Sequence, residues 1–317
     1  MMKKKILYVH GFASSGQSGT VTRIRTALPE ADVVAPDLPL EPEEAMALLR
    51  QVCEELKPDL IIGTSMGGMY AEMLRGYDRI LVNPALRMGD TMKEHGMMGA
   101  QHFQNPRQDG IQDFIVTKTL VKAYKDMTDH CFEGITKEEQ QRVWGLFGDE
   151  DTTVDTYDLF HSHYPIAIRF HGEHRMNDQS FMHSVMPVIR WIDDRQEGRE
   201  RPIIYIDVET LKDSYGKPRS SVQKTIRILM ETYQLFFVTA APVETQYYSD
   251  VNDWLYEYVN VPAYGHTVFT NQKGLLYGDY LIDTDKTDTM ATLIQIGSDT
   301  FKTWDDIAEY FYRLGGQ

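Results

Sequence analysis

The chain has 317 residues, of which 42% are hydrophobic and 25% are charged, as is typical of a soluble globular protein with one large or two ordinary domains. Its formal net charge of −15 at pH 7 argues against nucleic acid as a partner, because polyanions bind to clustered lysines and arginines. Two cysteines exclude a disulfide framework and a zinc cluster, and no apolar run approaches the roughly 18 residues that span a bilayer. We therefore expect a cytoplasmic protein with no membrane partner, and the sequence leaves its oligomeric state open.

Short apolar runs alternate with amphipathic helical stretches along residues 1–195. Apolar runs of this length are typical of strands in a parallel sheet that is covered on both faces. The alternation therefore predicts a doubly wound α/β domain. The predicted strands are Ile6–Val9, Val33–Ala35, Leu60–Gly63, Ile80–Val82, Val143–Phe147 and Ile166–Phe170, and examples of predicted helices are Glu43–Leu56 and Met69–Leu74.

The alternation breaks between Arg87 and Gln141, which predicts a helical insertion over residues 87–141 that could serve as a lid. The insertion is rich in methionine and also contains histidine and phenylalanine. Flexible thioethers and an aromatic ring are suited to an acyl pocket, although they also suit an ordinary core under a helical cap. The side chains in question are Met88, Met92, Met97, Met98, His102 and Phe103.

One serine lies between a predicted strand and a predicted helix. The sequence Gly63-Thr64-Ser65-Met66-Gly67 fits the pattern G-x-S-x-G, in which the serine occupies a strained turn and larger side chains at the glycine positions would clash. The N-terminus of the following helix directs N–H groups towards a developing oxyanion. The strand before and the helix after Ser65 favour a nucleophile over a simple connecting turn.

An acid and a histidine follow Ser65 in the order that this architecture requires. The sequence LFGDEDTTVD places Asp149 and Asp151 just after a predicted strand, and FHGEHRMND places His174 after the last strand of the domain. We predict Asp151 as the acid and His174 as the base, with Asp149 as the alternative acid. His171, three residues before His174, is predicted to pack or to contact substrate.

The oxyanion of an acyl intermediate needs two backbone N–H donors. One is expected from Met66, the residue after the serine, and the other from the loop after the first strand, YVHGFASSG, where Phe12 is the predicted donor. His10 in the same loop is predicted to be structural and to brace that loop.

A charged run without apolar residues, Asp193–Pro202, predicts a linker, after which the α/β pattern restarts. Residues 196–317 are therefore predicted to form a second, smaller α/β domain. Its predicted elements are the strands Ile203–Ile206, Leu235–Thr239, His266–Phe269 and Tyr280–Ile282, and the helices Ser221–Tyr233, Thr245–Tyr258 and Trp304–Leu314.

Carboxylates, a hydroxyl and a lysine follow strands of this second domain. Asp207 and Glu209 lie two residues apart after the first strand, so we expect both side chains at the same edge of the sheet. An attacking aspartate, with Mg²⁺ and a lysine to neutralise phosphoryl charge, is the chemistry of phosphoryl transfer. The candidate residues are Asp207, Glu209, Thr239, Lys273, Asp279, Asp283 and Asp285, of which Asp207, Glu209 and Asp283 are the candidate metal ligands.

Residues 3–195 resemble the YqiA/YcfP-type α/β-hydrolase esterases. The motifs that carry the resemblance are YVHGFASSG, IIGTSMGGMYA, LVNPAL and FGDEDTTVD. The resemblance implies a Ser–Asp–His acyl hydrolase of esters or thioesters. Those relatives have a short segment where this chain has residues 87–141, so their substrate preference does not transfer.

Residues 201–315 resemble the deoxyribonucleotidase-like branch of the haloacid dehalogenase superfamily, through IYIDVETL, FFVTAAP, GDYLID and TWDDIAEYF. Two positions depart from that family, which has aspartate at Glu209 and usually a second aspartate at Thr284. The interval between Leu211 and Gln234 is also too short for a substantial cap. A degenerate, capless Rossmann-like domain is therefore favoured over an active phosphatase.

Together these features predict a serine esterase with a small-molecule acyl substrate and no cofactor at the esterase site. A Mg²⁺-dependent phosphatase activity of the second domain, alone or beside the esterase, is the first alternative. A non-catalytic binding protein is the second alternative. The acyl and leaving groups are left open by the sequence.

Overall fold

The computed structural model describes residues 4–315, and the chain divides into two compact units, Met1–Phe181 and Met182–Gln317. Each unit contains a sheet of parallel strands joined by helices, so the predicted α/β fold class is confirmed. The division by contacts falls earlier than the predicted domain bounds of 1–195 and 196–317, which stay a prediction. We refer to the two parts as the N-terminal unit and the C-terminal unit.

The N-terminal unit is built on a six-stranded sheet and also holds a separate two-stranded one. Its strands are β1 (Lys5–Val9), β2 (Asp32–Val34), β3 (Leu60–Thr64), β4 (Arg79–Val82), β5 (Gly99–His102), β6 (Asp113–Val116), β7 (Val143–Gly148) and β8 (Ala167–Phe170). The main sheet has the order β2-β1-β3-β4-β7-β8, and every neighbouring pair in it is parallel. The carboxyl ends of its strands therefore meet at one edge, where loops can bring distant side chains together.

The helices of the N-terminal unit are α1 (Gly19–Ala27), α2 (Pro42–Leu56), α3 (Met66–Met73), α4 (Met88–Glu94), α5 (Lys118–Thr128), α6 (Lys137–Gln140), α7 (Tyr157–His161) and α8 (Asp178–Ser180). The neighbouring strands β1 and β3 have buried apolar side chains, and Leu7, Val9 and Ile61 are shielded from solvent. This pattern agrees with a parallel sheet that is covered on both faces.

The insertion over residues 87–141 is only partly helical. It holds α4, α5 and α6, but also an antiparallel hairpin of β5 and β6 that was not predicted. The sequence of β5, GAQH, has no β-branched or aromatic residue and its side chains are largely exposed, so it carries no strand signal. Gly89 lets α4 approach α5 closely, because a Cβ there would lie 2.7 Å from the Lys125 backbone nitrogen.

The C-terminal unit has five parallel strands in the order β11-β10-β9-β12-β13. They are β9 (Ile203–Asp207), β10 (Gln234–Thr239), β11 (Thr267–Phe269), β12 (Tyr280–Asp283) and β13 (Thr292–Gln295). The short edge strand β13 was missing from the prediction. The helices are α9 (Met186–Glu197), α10 (Val208–Leu211), α11 (Val222–Leu229), α12 (Thr245–Tyr258) and α13 (Trp304–Arg313).

Helix α9 runs into the predicted linker, so that prediction is wrong for Asp193–Glu197. The helix ends at Gly198, whose φ of +59° terminates it in the left-handed conformation that glycine adopts readily. The charged residues beyond it are ordered by ion pairs, with Arg199 bound to Asp193 and Asp194. No helix within residues 4–315 is both long enough and apolar enough to cross a membrane.

Candidate active site

Ser65 lies on the turn that joins β3 to α3, and its backbone has φ +54° and ψ −121°. A non-glycine residue with positive φ is strained, and such strain clusters at functional sites. The neighbouring glycines are required by packing, because a Cβ on Gly67 would lie 2.0 Å from the Val9 carbonyl oxygen and one on Gly63 would lie 2.3 Å from the Gly67 carbonyl oxygen. The turn thus presents the serine side chain at the carboxyl edge of the sheet.

Three side chains from separate loops form a continuous hydrogen-bonded chain. The Nε2 of His174 is 3.1 Å from the Oγ of Ser65, and its Nδ1 is 2.7 Å from the Oδ2 of Asp151. The second oxygen of Asp151 accepts from the backbone N–H groups of Thr153 and Val154, at 2.7 and 2.9 Å. Since the carboxylate accepts from Nδ1, the unprotonated Nε2 of neutral His174 faces the serine hydroxyl.

Asp149, the alternative acid, is bonded elsewhere. Its carboxylate accepts from the Gly172 N–H at 3.1 Å and from the Nδ1 of His171 at 3.3 Å. The structure therefore brings Asp151 and not Asp149 to His174, and it places His171 beside Asp149, where its side chain is more than half exposed.

Of the two predicted oxyanion donors, Phe12 lines the same cleft as Ser65, and Met66 directly follows Ser65 in the chain. Within residues 4–315 the backbone N–H groups of Phe12 and Met66 have no hydrogen-bond partner, and Met66 is the first residue of α3. Unpaired N–H groups at a helix N-terminus attract negative charge. A substrate oxygen between these two groups would be stabilised as it becomes an oxyanion.

His10 braces the loop after β1. Its Nε2 accepts from the Leu38 N–H at 3.1 Å, and its Nδ1 donates to the Gly11 carbonyl oxygen at 2.8 Å. Burial lowers the pKa of His10 to about 4, so the ring is neutral at pH 7, as this donor and acceptor pattern requires.

The insertion holds the same loop from the other side at three points. The Gln104 N–H donates to the Ala13 carbonyl at 2.9 Å, the Asn105 side chain donates to Ser14 Oγ at 3.1 Å, and Ser15 Oγ donates to the Pro106 carbonyl at 2.7 Å. Residues 104–106 thus form a strap across the loop that carries Phe12.

Asn83 has a positioning role that sequence reasoning missed. Its side-chain nitrogen donates to the carbonyls of Glu173 and His174, at 3.1 and 3.2 Å, and its side-chain oxygen accepts from the Gly148 N–H at 2.7 Å. It therefore joins the loops that carry the acid and the base. The signal was its place after β4 in LVNPAL, together with the tolerance of asparagine for the positive φ of +45° seen here.

The cleft beside Ser65 has a volume of about 1170 Å³ and is lined mainly by polar side chains. Of the six insertion side chains proposed for an acyl pocket, only Met88 and Met97 line it. The other four are placed differently: Met92 and Phe103 lie in the hydrophobic core, Met98 is half exposed, and His102 pairs with Asp113 at the surface. The acyl-pocket interpretation is therefore wrong for these four residues, and the alternative of an ordinary core holds for Met92 and Phe103.

In the C-terminal unit, Lys273 joins two buried carboxylates. Its Nζ lies 2.7 Å from Asp207 Oδ2 and 2.6 Å from Asp283 Oδ2. Burial raises the pKa of Asp207, and the hydrogen bond to Lys273 opposes that rise. Burial alone would lower the pKa of Lys273, but the two carboxylates outweigh it and raise the pKa. The lysine is therefore charged and compensates the buried pair.

Three other predicted residues of this unit have side-chain partners outside that cluster. The chain turns into α10 immediately after Asp207, and the Glu209 carboxylate pairs with Lys212 at 2.8 Å. Thr239 Oγ1 lies 2.5 Å from the Tyr247 hydroxyl. Asp279 precedes β12 and accepts from the Ile203 N–H, at the opposite edge of the sheet.

The carboxylate oxygens of Asp207 and Asp283 are engaged by donors of the protein. All four oxygens already accept hydrogen bonds, those of Asp207 from the Glu209 N–H and Lys273, and those of Asp283 from the Asp285 N–H, Lys273 and Thr287. Among residues 4–315 no group of three or more histidine, cysteine or carboxylate side chains is arranged to hold a metal. Hard cations need several oxygen ligands that are available for coordination.

The model of the uncharacterised protein family UPF0227 matches residues 5–191. The matched stretch includes Ser65, Asp151 and His174. The chain belongs to this family. The resemblance to the YqiA/YcfP-type proteins seen in the sequence is thereby confirmed, and it covers the whole N-terminal sheet.

Beyond UPF0227, the chain is similar to Staphylococcus aureus proteins described as "Putative 5'(3')-deoxyribonucleotidase". The identity to the protein of strain MRSA252, and equally to that of strain MW2, is 31% over 101 aligned residues, and the match covers 28% of this chain. The chain spans only 56% of the length of these relatives.

Among solved structures, the UPF0227 chain is similar to tomato methylketone synthase I in complex with beta-ketoheptanoate, with a TM-score of 0.41, 10% identity and coverage of 63% of this chain and 99% of that one. The N-acyl homoserine lactonase AidH matches with a TM-score of 0.35 and 13% identity, covering 62% and 90% of the two chains. Est1E from Butyrivibrio proteoclasticus matches with a TM-score of 0.40 and 14% identity, covering 62% and 88%.

Proposed function

We propose that the N-terminal unit is a serine hydrolase of small carboxylic esters or thioesters. The observation that carries the proposal is the hydrogen-bonded chain from Ser65 through His174 to Asp151, at 3.1 and 2.7 Å, on a strained turn beside two unpaired N–H groups. Nucleophile, base and orienting acid within hydrogen-bonding reach are the requirements of acyl transfer. No metal or cofactor takes part in this proposal.

In the first half of the reaction, the Oγ of Ser65 attacks the acyl carbon while Nε2 of His174 takes the hydroxyl proton. The carbonyl oxygen becomes an oxyanion, which the N–H groups of Phe12 and Met66 stabilise. Asp151 holds the imidazole tautomer and stabilises the imidazolium. The proton on Nε2 then passes to the leaving oxygen or sulfur, the bond to the acyl carbon breaks, and the acyl group stays on Ser65.

Water completes the cycle. His174 takes a proton from a water molecule that attacks the acyl carbon, and it returns the proton to Ser65 Oγ as the carboxylic acid leaves. We propose a cytoplasmic setting for this chemistry, which is supported by two buried cysteines, Cys53 and Cys131, that form no disulfide.

The test of this function is covalent labelling of the full-length protein with a fluorophosphonate, followed by intact-mass measurement. We expect one adduct on the parent and none on Ser65→Ala. Ser162→Ala is the matched control, since it removes the same hydroxyl from an exposed residue outside the cleft and should not affect labelling. Absence of an adduct on the parent, together with no hydrolysis of p-nitrophenyl butyrate, would favour a non-catalytic binding protein.

For the C-terminal unit we propose a folded domain that does not use Mg²⁺. The support is the engagement of all four carboxylate oxygens of Asp207 and Asp283 by protein donors, with Lys273 as their cation. The alternative is a Mg²⁺-dependent phosphatase with Asp207 as nucleophile, which the clustering of Asp207, Lys273 and Asp283 favours.

Millimolar MgCl₂ and EDTA distinguish these two functions. A ligand that binds only the folded state raises its stability by about 2.7 kcal/mol at 100 times its Kd. We expect the same Tm for the C-terminal transition with MgCl₂, with CaCl₂ and with EDTA, and no turnover of p-nitrophenyl phosphate. A rise in Tm that is specific to MgCl₂, or phosphate release that EDTA abolishes, would establish the phosphatase instead.

A further inference from the structure

Helix α1 begins inside the cleft that contains Ser65. Its first residues and the residue before it, Ser18, Gly19 and Thr20, line the cleft, as does Arg23 one turn further on. The first N–H groups of a helix lack intrahelical partners and carry partial positive charge, which favours an anion. The first turn of this nine-residue helix has no acidic side chain that would neutralise that charge.

Ser18 gives an independent sign that a ligand binds there. A serine at the N-cap normally accepts a hydrogen bond from the first turn of its helix, but Ser18 makes no such bond. The residue is 6% exposed, and within residues 4–315 its Oγ has no hydrogen-bond partner. Buried hydroxyls normally have a hydrogen-bond partner. A bound ligand can supply the partner that Ser18 lacks.

The hydroxyl groups of Tyr8 and Thr64 also belong to residues that line this end of the cleft. Tyr8 OH lies 2.8 Å from Thr64 Oγ1, and Thr64 directly precedes Ser65. Burial raises the pKa of Tyr8, so its hydroxyl is protonated at pH 7 and available as a hydrogen-bond donor.

Arg23 is held by one ion pair that engages only part of its guanidinium group. Its Nε donates to Asp178 Oδ1 at 2.5 Å, which leaves the other guanidinium N–H groups for a second acceptor. The Arg23 side chain is 21% exposed, whereas that of Asp178 is 88% exposed, so water screens the carboxylate more than the guanidinium. The remaining charged residues of the cleft, Glu150, Glu173 and Arg175, are exposed.

We propose that the α1 end of the cleft binds a compact anionic group, a carboxylate or a phosphate, on the ester that Ser65 cleaves. This inference rests on the proposed hydrolase function and adds a substrate class to it. The anion accepts from Ser18 Oγ, from Arg23 and from the N–H groups of Gly19 and Thr20, which have no backbone partner among residues 4–315. Because Thr64 adjoins both this subsite and Ser65, the anionic group and the scissile carbonyl belong to one small molecule.

The first experiment compares kcat/KM for matched esters. The carboxylate 4-(butyryloxy)benzoate and the phosphate 4-(butyryloxy)phenyl phosphate are each compared with neutral methyl 4-(butyryloxy)benzoate, and mono-p-nitrophenyl adipate is compared with p-nitrophenyl heptanoate. These arms separate carboxylate from phosphate and the leaving group from the acyl group. We expect the parent to prefer at least one anionic ester by about tenfold or more, as charge-assisted hydrogen bonds and a helix N-terminus provide.

Arg23→Gln is expected to reduce that preference about tenfold, measured as the ratio of anionic to neutral kcat/KM. Arg25→Gln is the matched control, because it removes the same charge from the same helix at a position outside the cleft, and it should keep the parent ratio. An equal loss in both variants, or a parent that prefers every neutral ester, would overturn the subsite.

The Ser18→Ala variant distinguishes a ligand-binding role of the Ser18 hydroxyl from a role in capping α1. Since Ser18 makes no cap bond, we expect an unchanged Tm and a reduced anionic preference, whereas a structural cap would lower Tm. Calorimetry of the full-length Ser65→Ala protein with the anionic and neutral esters tests the subsite without catalysis. Tighter binding of the anionic ester supports the inference even if no ester is hydrolysed, and equal binding overturns it even if the hydrolase function holds.

Discussion

An Asp151→Asn variant is expected to hydrolyse esters with a kcat about 10⁴-fold below that of the parent, the scale of loss when a triad acid becomes an amide. The asparagine oxygen can still accept from the Thr153 and Val154 N–H groups, which leaves its NH₂ group facing His174. An NH₂ donor there favours the tautomer protonated at Nε2, which cannot accept the proton of Ser65. Steady-state kinetics with p-nitrophenyl butyrate measure the loss.

Asp149→Asn is the matched control for that measurement. Asp149 lies two residues away on the same loop but accepts from Gly172 and His171. We expect its kcat to stay within severalfold of the parent value. If the two variants exchanged their effects, Asp149 would be the acid and the hydrogen bond between Asp151 and His174 would have no catalytic role.

Lys273→Met is expected to lower the free energy of unfolding of the C-terminal unit by about 3 kcal/mol at pH 7, because it leaves Asp207 and Asp283 buried without a cation. Methionine is close to lysine in length, so the loss reports mainly on charge. Lys212→Met is the control, since Lys212 pairs with Glu209, whose side chain is 57% exposed, and such a pair contributes about 1 kcal/mol or less. Urea denaturation of the full-length variants gives both values.

The pH dependence of this loss follows from the direction of the carboxyl pKa shifts. Burial already raises the pKa of Asp207, and removal of Lys273 removes the hydrogen bond that opposes the rise. A carboxyl group whose pKa is higher in the folded state destabilises that state once it ionises, so the penalty appears as pH rises through the folded pKa and vanishes as pH falls below the unfolded value near 4. The difference between Lys273→Met and parent should therefore shrink on acidification, and a constant difference would contradict this account.

The parts of the fold that the sequence predicted are those with local signals. The strands around Leu7 and Ile61 are continuous apolar runs, and the turn at Ser65 is bounded by glycines whose need is visible in the sequence itself. The order of serine, acid and histidine also lies along the chain. From these signals the sequence predicted Ser65, Asp151 and His174 as one site. In the structure His174 lies 3.1 Å from Ser65 and 2.7 Å from Asp151.

The parts that were missed depend on contacts between distant segments. Asn83 gains its role only when the loops after three strands meet, and the unpaired state of Ser18 becomes visible only in three dimensions. The ion pair between Glu209 and Lys212 was missed as well, because α10 was not predicted. Side chains three residues apart are neighbours on a helix, whereas on a strand they lie on opposite faces.

The strap of residues 104–106 makes the insertion a poor target for modular exchange. It holds residues 13–15, which lie between Phe12, the proposed oxyanion donor, and Ser18, whose Oγ has no partner among residues 4–315. A graft or deletion intended only to retune substrate choice would move both groups at once. A change in the insertion is therefore expected to alter turnover and substrate selectivity at the same time. Libraries that vary the insertion should keep Gln104, Asn105 and Pro106 constant.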